Sequence, residues 1–147
     1  MSLVAGDLHD LVAHRLREAD QRYTTNRRAL VEILSEADRP LTIPELLNRR
    51  RSLPQSSAYR NLSILEEVGA VRRVVTHDDF ARYELAEDLT EHHHHLICST
   101  CGAVEDFTVS KQLEERLTSA MAGIARRTGF HPTHHRLDLL GSCANCT

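Results

Sequence analysis

Apolar residues in the first half of the chain recur at intervals of three and four, which is the period of a helix with one buried face. Four such segments are separated by short polar stretches, so the spacing predicts four helices in a row. Their predicted positions are 7–19, a second helix that carries Ala29, Leu30, Ile33 and Leu34, 42 to about 50, and 56–68.

The predicted helix ends follow from residues that satisfy free backbone groups. Thr42 is followed three residues later by Glu45, with Pro44 in the first turn, which is the pattern of a capping box. Elsewhere the predicted N-caps are Asp7 and Ser56-Ser57, and Gly69 is the predicted C′ residue.

Two short segments after the fourth helix, 70–75 and 82–85, predict a β-ribbon. Three short helices followed by a ribbon indicate a winged helix-turn-helix domain, in which the helix 56–68 would enter the major groove of DNA. Its exposed start offers groups that reach phosphates and base edges, namely Ser56, Ser57, Tyr59 and Arg60. An amphipathic helix whose polar residues only face solvent stays open as the alternative.

The second half of the chain follows a different order. After an acidic segment, 86–91, come a strand (92–97), its hairpin partner (103–107), a helix that Ser110 caps and Gly129 ends, and a last strand (134–140). A unit of this kind with a free strand edge is suited to pair with a copy of itself, so we predict a homodimer. The predicted fold class is α+β, with a winged helix-turn-helix domain over 1–85, a hinge over 86–91 and a small α/β dimerisation domain over 92–147.

Charge is divided unevenly, although the net charge of the 147 residues is only −3. Residues 22–75 hold ten Arg against six acidic residues, whereas residues 76–147 hold six Lys and Arg against eleven. This predicts a basic module that binds polyanions, a class that includes double-stranded DNA, and an acidic, His-rich module that binds cations. No apolar segment is long enough to span a membrane and residues 1–20 lack the apolar core of a signal peptide, so a cytoplasmic location is expected.

Four cysteines occur as two C-x-x-C pairs, the first of them followed by Gly102. Two such pairs are the usual supply for one tetrahedral zinc ion, and the predicted ligands are Cys98, Cys101, Cys143 and Cys146. A site with four sulfur ligands has no open position, so it would hold structure and catalyse nothing. Two disulfides, an iron site and unpaired thiols are the alternatives, and a cytosolic chain gains little from disulfides.

Four consecutive histidines precede the first pair, and they are internal, so they are not an expression tag. In a strand, successive side chains point to opposite faces. His93 and His95 would then face one way and His92 and His94 the other. One short strand could therefore supply two ligands to each of two metal sites, with a solvated strand edge as the alternative.

Several segments together resemble the ferric uptake regulator (Fur) family of bacterial metal-responsive repressors over nearly the whole chain. They are Arg22-x-Thr24-x-x-Arg27, Ser57-Ala58-Tyr59-Arg60-x-Leu62-x-x-Leu65, Tyr83-Glu84-Leu85, the block 92–102 and Cys143-x-x-Cys146. The resemblance implies a winged-helix domain, a hinge, a dimerisation domain and up to three metal sites in each subunit. It also implies that Arg22, Thr24 and Arg27 belong to the DNA-facing surface.

Ligand sets follow from the same resemblance. The structural zinc falls on the four cysteines, a regulatory site at the hinge falls on Glu84, His93 and His95, and a further site falls on His92, His94, Glu114 and His135. The fourth ligand of the regulatory site is left open, with His77, Asp78, Asp79 and Asp88 as candidates.

The function that we expect is a metal-dependent repressor of metal uptake genes, which binds a palindromic A/T-rich operator as a dimer. Iron sensors of the family commonly have His-His-Asp-His where this chain has His92 to His95, so an imidazole at position 94 replaces a carboxylate. That replacement favours zinc. Because Glu84 resembles the iron branch, ferrous iron is the second candidate for the regulatory ion. A metal buffer and a metalloenzyme are the alternatives from other classes, and no H-E-x-x-H pattern supports an enzyme.

Overall fold

The computed structural model describes residues 3–76 and 78–147. The N-terminal part is a winged helix-turn-helix domain, as predicted. Its elements are α1 (Ala5–Glu18), α2 (Thr25–Glu36), β1 (Leu41–Thr42), α3 (Ile43–Arg49), α4 (Gln55–Glu67), β2 (Val71–Val74) and β3 (Arg82–Leu85). The three strands form an antiparallel sheet in the order β1-β3-β2, so the short strand before α3 closes the wing on one side.

A continuous apolar core fills this domain because each helix buries the stripe that its spacing predicted. Leu16 of α1, Leu30 of α2 and Leu62 of α4 are buried in it, together with Tyr83 of the wing. The capping box is confirmed, since the Thr42 side chain accepts from the backbone N–H of Glu45 and the Glu45 carboxylate accepts from that of Thr42. All four helices, α1 to α4, contribute residues to this one core.

Gly69 ends α4 in the predicted way. Its φ of +78° lies in the left-handed region, which favours glycine. The backbone N–H of Gly69 donates to Glu66 and that of Ala70 donates to Leu65, the two hydrogen bonds of a Schellman motif.

Two predicted N-caps are wrong. α1 begins at Ala5 and α4 at Gln55, so Asp7 and Ser56-Ser57 lie inside the first turns instead of before them. Neither helix has a side-chain cap, and the Ser57 hydroxyl donates to the carbonyl of Pro54. The N-cap positions lie two or three residues before the predicted caps, and the residues in them, Val4 and Pro54, have extended backbone.

The C-terminal part contains β4 (His94–Cys98), β5 (Val104–Phe107), α5 (Lys111–Thr128) and β6 (Asp138–Gly141). The strands form a second sheet in the order β5-β4-β6, with β4 antiparallel to β5 and parallel to β6. Ser110 caps α5 and Gly129, at a φ of +71°, ends it, as predicted. The first and last predicted strands are shorter than expected, since β4 begins at His94 and β6 at Asp138.

α5 and β6 leave much apolar surface uncovered. No residue of α5 is buried, and the exposed large apolar residues include Leu113, Met121, Ile124, Leu139 and Leu140. Leu140 is 69% exposed on the outermost strand of the sheet. Among the helices in the described part of the chain, none has the length and apolar character needed to cross a membrane.

The two parts are in contact at several points. The segment 86–91 contains a 3₁₀ helix, Glu87–Leu89, and Leu89 is buried in the N-terminal core. Val74 at the end of β2 forms a small apolar cluster with Ile97 and Val104 of the second sheet. The carboxylate of Asp88 forms an ion pair with Arg15 of α1. The wing and the second sheet therefore lie side by side, and this places Glu84 of β3 against β4.

Candidate metal centres and DNA-facing surface

The four cysteines converge at one end of the second sheet. Their sulfur atoms all lie within 4.8 Å of one another, and we call them the Cys cluster. Cys98 ends β4, whereas Cys143 and Cys146 follow β6, so the parallel pairing of these strands brings the two C-x-x-C pairs together. The sulfurs of Cys101 and Cys143 are 3.8 Å apart. This separation fits a tetrahedron with zinc–sulfur bonds of about 2.3 Å, which has edges of about 3.8 Å.

Backbone groups prepare the Cys cluster for a cation. The backbone N–H groups of Cys101 and Cys143 point at the sulfur of Cys98, at 3.4 and 3.3 Å. These bonds lower the pKa of the Cys98 thiol to about 5, which favours the thiolate that a metal requires. Gly102 has a φ of +79°, in the left-handed region that favours glycine, and a Cβ there would also collide with the Asp78 carboxylate unless that side chain moved.

A second group, which we call the interdomain cluster, joins the wing to the second sheet. It consists of Glu84, His93, His95 and Asp106. The Nε2 atoms of His93 and His95 lie 2.8 and 3.1 Å from the Glu84 carboxylate. Both also lie within 4 Å of Asp106. Glu84 is therefore the one member contributed by the winged domain.

The electrostatics of the interdomain cluster is that of a site suited to a cation. Burial opposes ionisation of Glu84, but hydrogen bonds from His93 and His95 and the charge of Arg72 outweigh it and hold the Glu84 pKa well below its usual range. The hydrogen bond to Glu84 raises the pKa of His93 to about 9. Burial raises the pKa of Asp106 to about 6, and its Oδ1 atom has no hydrogen-bond partner in the described residues. A bound divalent cation would give this buried oxygen the partner that it lacks.

Asp106 was not among the predicted candidates for the fourth ligand. Asp78 instead pairs with Arg82, Asp88 pairs with Arg15, and Asp79 is not part of the cluster. The fourth candidate, His77, lies outside the described residues. The hairpin register holds the signal that would have found Asp106, because pairing across the C-x-x-C turn sets Asp106 directly opposite His95.

A third group lies between the start of β4 and α5, and we call it the histidine cluster. Its members are His92, His94, Glu114 and His135. The Nε2 atom of His92 lies 3.2 Å from that of His135 and 3.3 Å from the Glu114 carboxylate. His94 is 1% exposed and its Nε2 contacts Glu114. The four histidines are thus divided between two clusters in the alternating way that a strand requires.

The predicted DNA-facing residues lie mainly on the surface. Ser56, Tyr59 and Arg60 are exposed at the start of α4, with Tyr59 58% exposed, and Ser57 is half-buried. Arg22 is exposed, and Thr24 is exposed as well, although its hydroxyl serves as the N-cap of α2.

Arg27 departs from the prediction. Its side chain is only 7% exposed and is turned into the domain, where its Nε donates to Asn61 of α4 at 3.0 Å. Its Nη1 donates to the carbonyl of Arg22 and to the side chain of Gln21. The Arg27 guanidinium is thus buried and shared among three acceptors, unlike the exposed side chains of Tyr59 and Arg60. Arg27 instead connects the segment before α2 to the recognition helix.

Comparison with known proteins gives the family. The model of the Ferric uptake regulator family matches residues 18–140. The peroxide-responsive repressor PerR of Staphylococcus aureus is 29% identical over 136 residues, which cover 89% of this chain and 86% of that protein. The structure of the Helicobacter pylori ferric uptake regulator superposes with a TM-score of 0.73 at 21% identity, covering 98% of this chain and 94% of that one.

The Vibrio cholerae ferric uptake regulator is similar as well, with a TM-score of 0.66 at 27% identity, over 88% of this chain and 98% of that chain. Regulators of the matched family bind DNA and act as dimers. Since the family match extends over most of its length, the chain belongs to the ferric uptake regulator family of metal-responsive transcriptional regulators.

Proposed function

We propose that this chain is a repressor of metal uptake genes that binds its operator when a zinc ion occupies the interdomain cluster. The observation that carries the proposal is the position of Glu84, which belongs to the wing but shares the cluster with three side chains of the C-terminal part, namely His93, His95 and Asp106. An ion held by all four would fix the winged domain relative to the rest of the subunit. Metal abundance would then set DNA affinity, provided that the ion binds this arrangement more tightly than any other.

The other two clusters have different roles in this proposal. The Cys cluster holds a structural zinc ion, since four thiolates leave no position open for a regulatory exchange or for catalysis. The histidine cluster holds a further ion against α5, and three imidazoles with one carboxylate suit zinc. Because His92 and His94 face away from Glu84, occupancy of this cluster tunes the response and does not create it.

Two copies are needed to read a palindromic operator. We assign residues 1–85 to DNA binding, 86–91 to the hinge and 92–147 to dimerisation, with the exposed apolar face of α5 and the edge strand β6 in the homodimer contact. The two α4 helices would then enter successive major grooves of an A/T-rich operator in the cytoplasm. In each copy, Ser56, Ser57, Tyr59 and Arg60 would face the DNA, with Arg22 and Thr24 beside them.

Substitutions on α4 test the DNA contact. Tyr59→Ala is expected to reduce discrimination between operator and unrelated DNA. Arg60→Ala, if the guanidinium binds a phosphate, should weaken binding to all sequences and lower the salt-dependence slope by about 1. Fluorescence anisotropy at several salt concentrations measures both effects. Unchanged affinity in both variants would move the interface elsewhere.

Ferrous iron is the second candidate for the regulatory ion, and Asp106 is the observation that favours it. With Asp106, the interdomain cluster offers two carboxylates and two imidazoles, a harder ligand set than the histidine cluster. Zinc remains our proposal because two imidazoles with two carboxylates form a four-coordinate set, and four-coordination is the usual geometry of protein-bound zinc.

The deciding experiment measures operator binding while free metal is buffered, with the Cys cluster already filled. Zinc binds more tightly than ferrous iron at most nitrogen sites, so unbuffered titrations cannot separate the two. We expect binding to switch at picomolar to nanomolar free zinc. If operator binding switches at micromolar ferrous iron and does not respond to picomolar to nanomolar zinc, the zinc assignment is wrong. Operator binding that ignores both metals would overturn the proposed function.

A further inference from the structure

The two ring nitrogens of His92 and His95 face different groups. In each ring, Nε2 points into a cluster, where the nearest atoms belong to the proposed ligands. Nδ1 points out of the cluster in each case. What lies behind that second nitrogen is not part of either ligand set, and in both rings it is a carboxylate.

Behind His95 lies Asp138 of β6. The two residues are partners in the parallel pairing of β4 with β6, and Nδ1 of His95 is 3.6 Å from Oδ1 of Asp138. That oxygen is buried and has no hydrogen-bond partner within 3–76 and 78–147. The other oxygen, Oδ2, accepts from Arg136 at 3.2 Å. A small rotation of the imidazole would close the contact and satisfy the buried oxygen.

Behind His92 lies Glu87 of the 3₁₀ helix between the two domains. Its Oε1 atom contacts Nδ1 of His92, and its Oε2 atom lies 4.0 Å from the guanidinium of Arg72. The remaining two rings differ. His93 has its Nδ1 against the backbone carbonyl of Glu91 at 2.9 Å, and Nδ1 of His94 has no partner among the described groups.

We propose that Glu87 and Asp138 are positioning residues, which keep His92 and His95 as Nε2-binding imidazoles. A neutral imidazole carries one proton, and a carboxylate at Nδ1 holds that proton there, so the lone pair of Nε2 is free for a metal. The same contact fixes the ring orientation and makes the bound nitrogen more basic. This inference extends the proposed function, because it takes the two clusters to be metal sites.

The positions of the two carboxylates connect each cluster to a different element. Glu87 belongs to the 3₁₀ helix between the domains, and Asp138 belongs to the edge strand that we assign to the dimer contact. A bound ion that strengthens the contact of His92 with Glu87 would make the hinge, 86–91, more rigid. One that tightens His95 against Asp138 would hold β6 on β4.

Isosteric substitutions test the assignment in the full chain. Glu87→Gln and Asp138→Asn keep the side-chain shape but remove the charge that holds the Nδ1 proton. Cobalt(II) is the probe, titrated after zinc has filled the Cys cluster, and its visible absorption reports affinity and ligand geometry. The interdomain cluster is measured in a His135→Ala background, which silences the histidine cluster. The histidine cluster is measured in a His93→Ala background, which silences the interdomain cluster. Glu105→Gln, an exposed carboxylate on β5, is the matched control.

We expect a crossed pattern. Glu87→Gln should weaken cobalt binding about 10-fold at the histidine cluster alone, and Asp138→Asn should do so at the interdomain cluster alone, each with a changed absorption spectrum. The control should bind like the unmodified chain. A merely structural role would instead lower the metal-free melting temperature and weaken both clusters together, which would overturn the inference.

Failure of the inference and failure of the proposed function are distinguishable. If the unmodified chain binds cobalt at neither cluster, the proposed function is wrong and the inference falls with it. If the unmodified chain binds normally and both variants match it in affinity and spectrum, only the inference is overturned.

Discussion

The two halves of the chain bury their apolar residues to very different extents. Four helices and a wing in the N-terminal domain share one core in which Leu16, Leu30 and Leu62 are buried completely. In the C-terminal half, the 18-residue helix α5 has no buried residue, and the second sheet contributes only Ile97 and Val104 to a small cluster with Val74. The N-terminal half thus buries its apolar residues within a single copy, and the C-terminal half leaves most of its own exposed.

The difference indicates what each half needs in order to fold. The apolar core of the N-terminal domain is expected to stabilise it without a bound ion, because burial of apolar surface is the main favourable term in folding. The C-terminal half instead carries three groups of side chains that could hold metal ions, one of them completed by Glu84 of the wing. Its stability is therefore expected to come from bound ions and from a second copy, which also makes it the half that responds to metal.

The largest effect is expected on removing a ligand of the Cys cluster. Cys98→Ser should lose about one zinc ion per subunit and unfold the C-terminal half, because the binding energy of such an ion, about 10–16 kcal/mol, is folding energy. Zinc analysis combined with calorimetry should show one lost transition while the N-terminal domain still melts. A variant that keeps its dimer and both transitions would contradict the comparison between the halves.

Next in size is the loss of the second copy. Met121→Glu places a charge in the exposed apolar face of α5 and should convert the dimer to a monomer, since a buried unpaired charge is costly. Ala122→Glu is the matched control, because residue 122 is exposed and lies on the other side of the helix from residues 113 and 117. Sedimentation velocity measures both variants. Equal behaviour of the two would remove α5 from the dimer contact.

At the junction between the halves, a smaller and more specific change is expected. His93→Ala and His95→Ala should each abolish metal-dependent operator binding without unfolding the dimer, whereas His92→Ala and His94→Ala should mainly shift the metal concentration required. The reason is that only His93 and His95 share a cluster with Glu84 of the wing. Metal-titrated anisotropy gives the order, and the reverse order would overturn the assignment of the faces.

The smallest expected effect is inside the N-terminal core. Arg27→Met should lower the free energy of unfolding of that domain by about 1–3 kcal/mol, because Asn61 and the carbonyl of Arg22 lose a buried donor. Arg22→Gln, on the exposed side of the same segment, should leave stability unchanged and reduce the salt dependence of DNA binding. Chemical denaturation and anisotropy separate the two. A stable Arg27→Met variant with weakened DNA binding would return Arg27 to the DNA-facing surface.

Most elements that depend on neighbours in sequence were predictable, although the N-caps of α1 and α4 were not. The capping box of Thr42 and Glu45, the Ser110 and Gly129 ends of α5 and the helix C′ residue Gly69 all follow from hydrogen bonds within a few residues. The division of four histidines between two clusters also follows locally, because side chains of an extended chain alternate. Two C-x-x-C pairs predict a group of four sulfur ligands before any fold is known.

Contacts between distant segments were decided by the tertiary structure. Asp106 entered the interdomain cluster through the register of the hairpin, and Glu84 reached it because the wing packs beside the second sheet. The inward direction of Arg27 was set by an acceptor 34 residues away, Asn61. Local sequence contains the helix period, most helix ends and the ligand types, because these depend on short-range geometry. Register, domain packing and the direction of a long flexible side chain depend on what meets across space, and those partners exist only once the chain has folded.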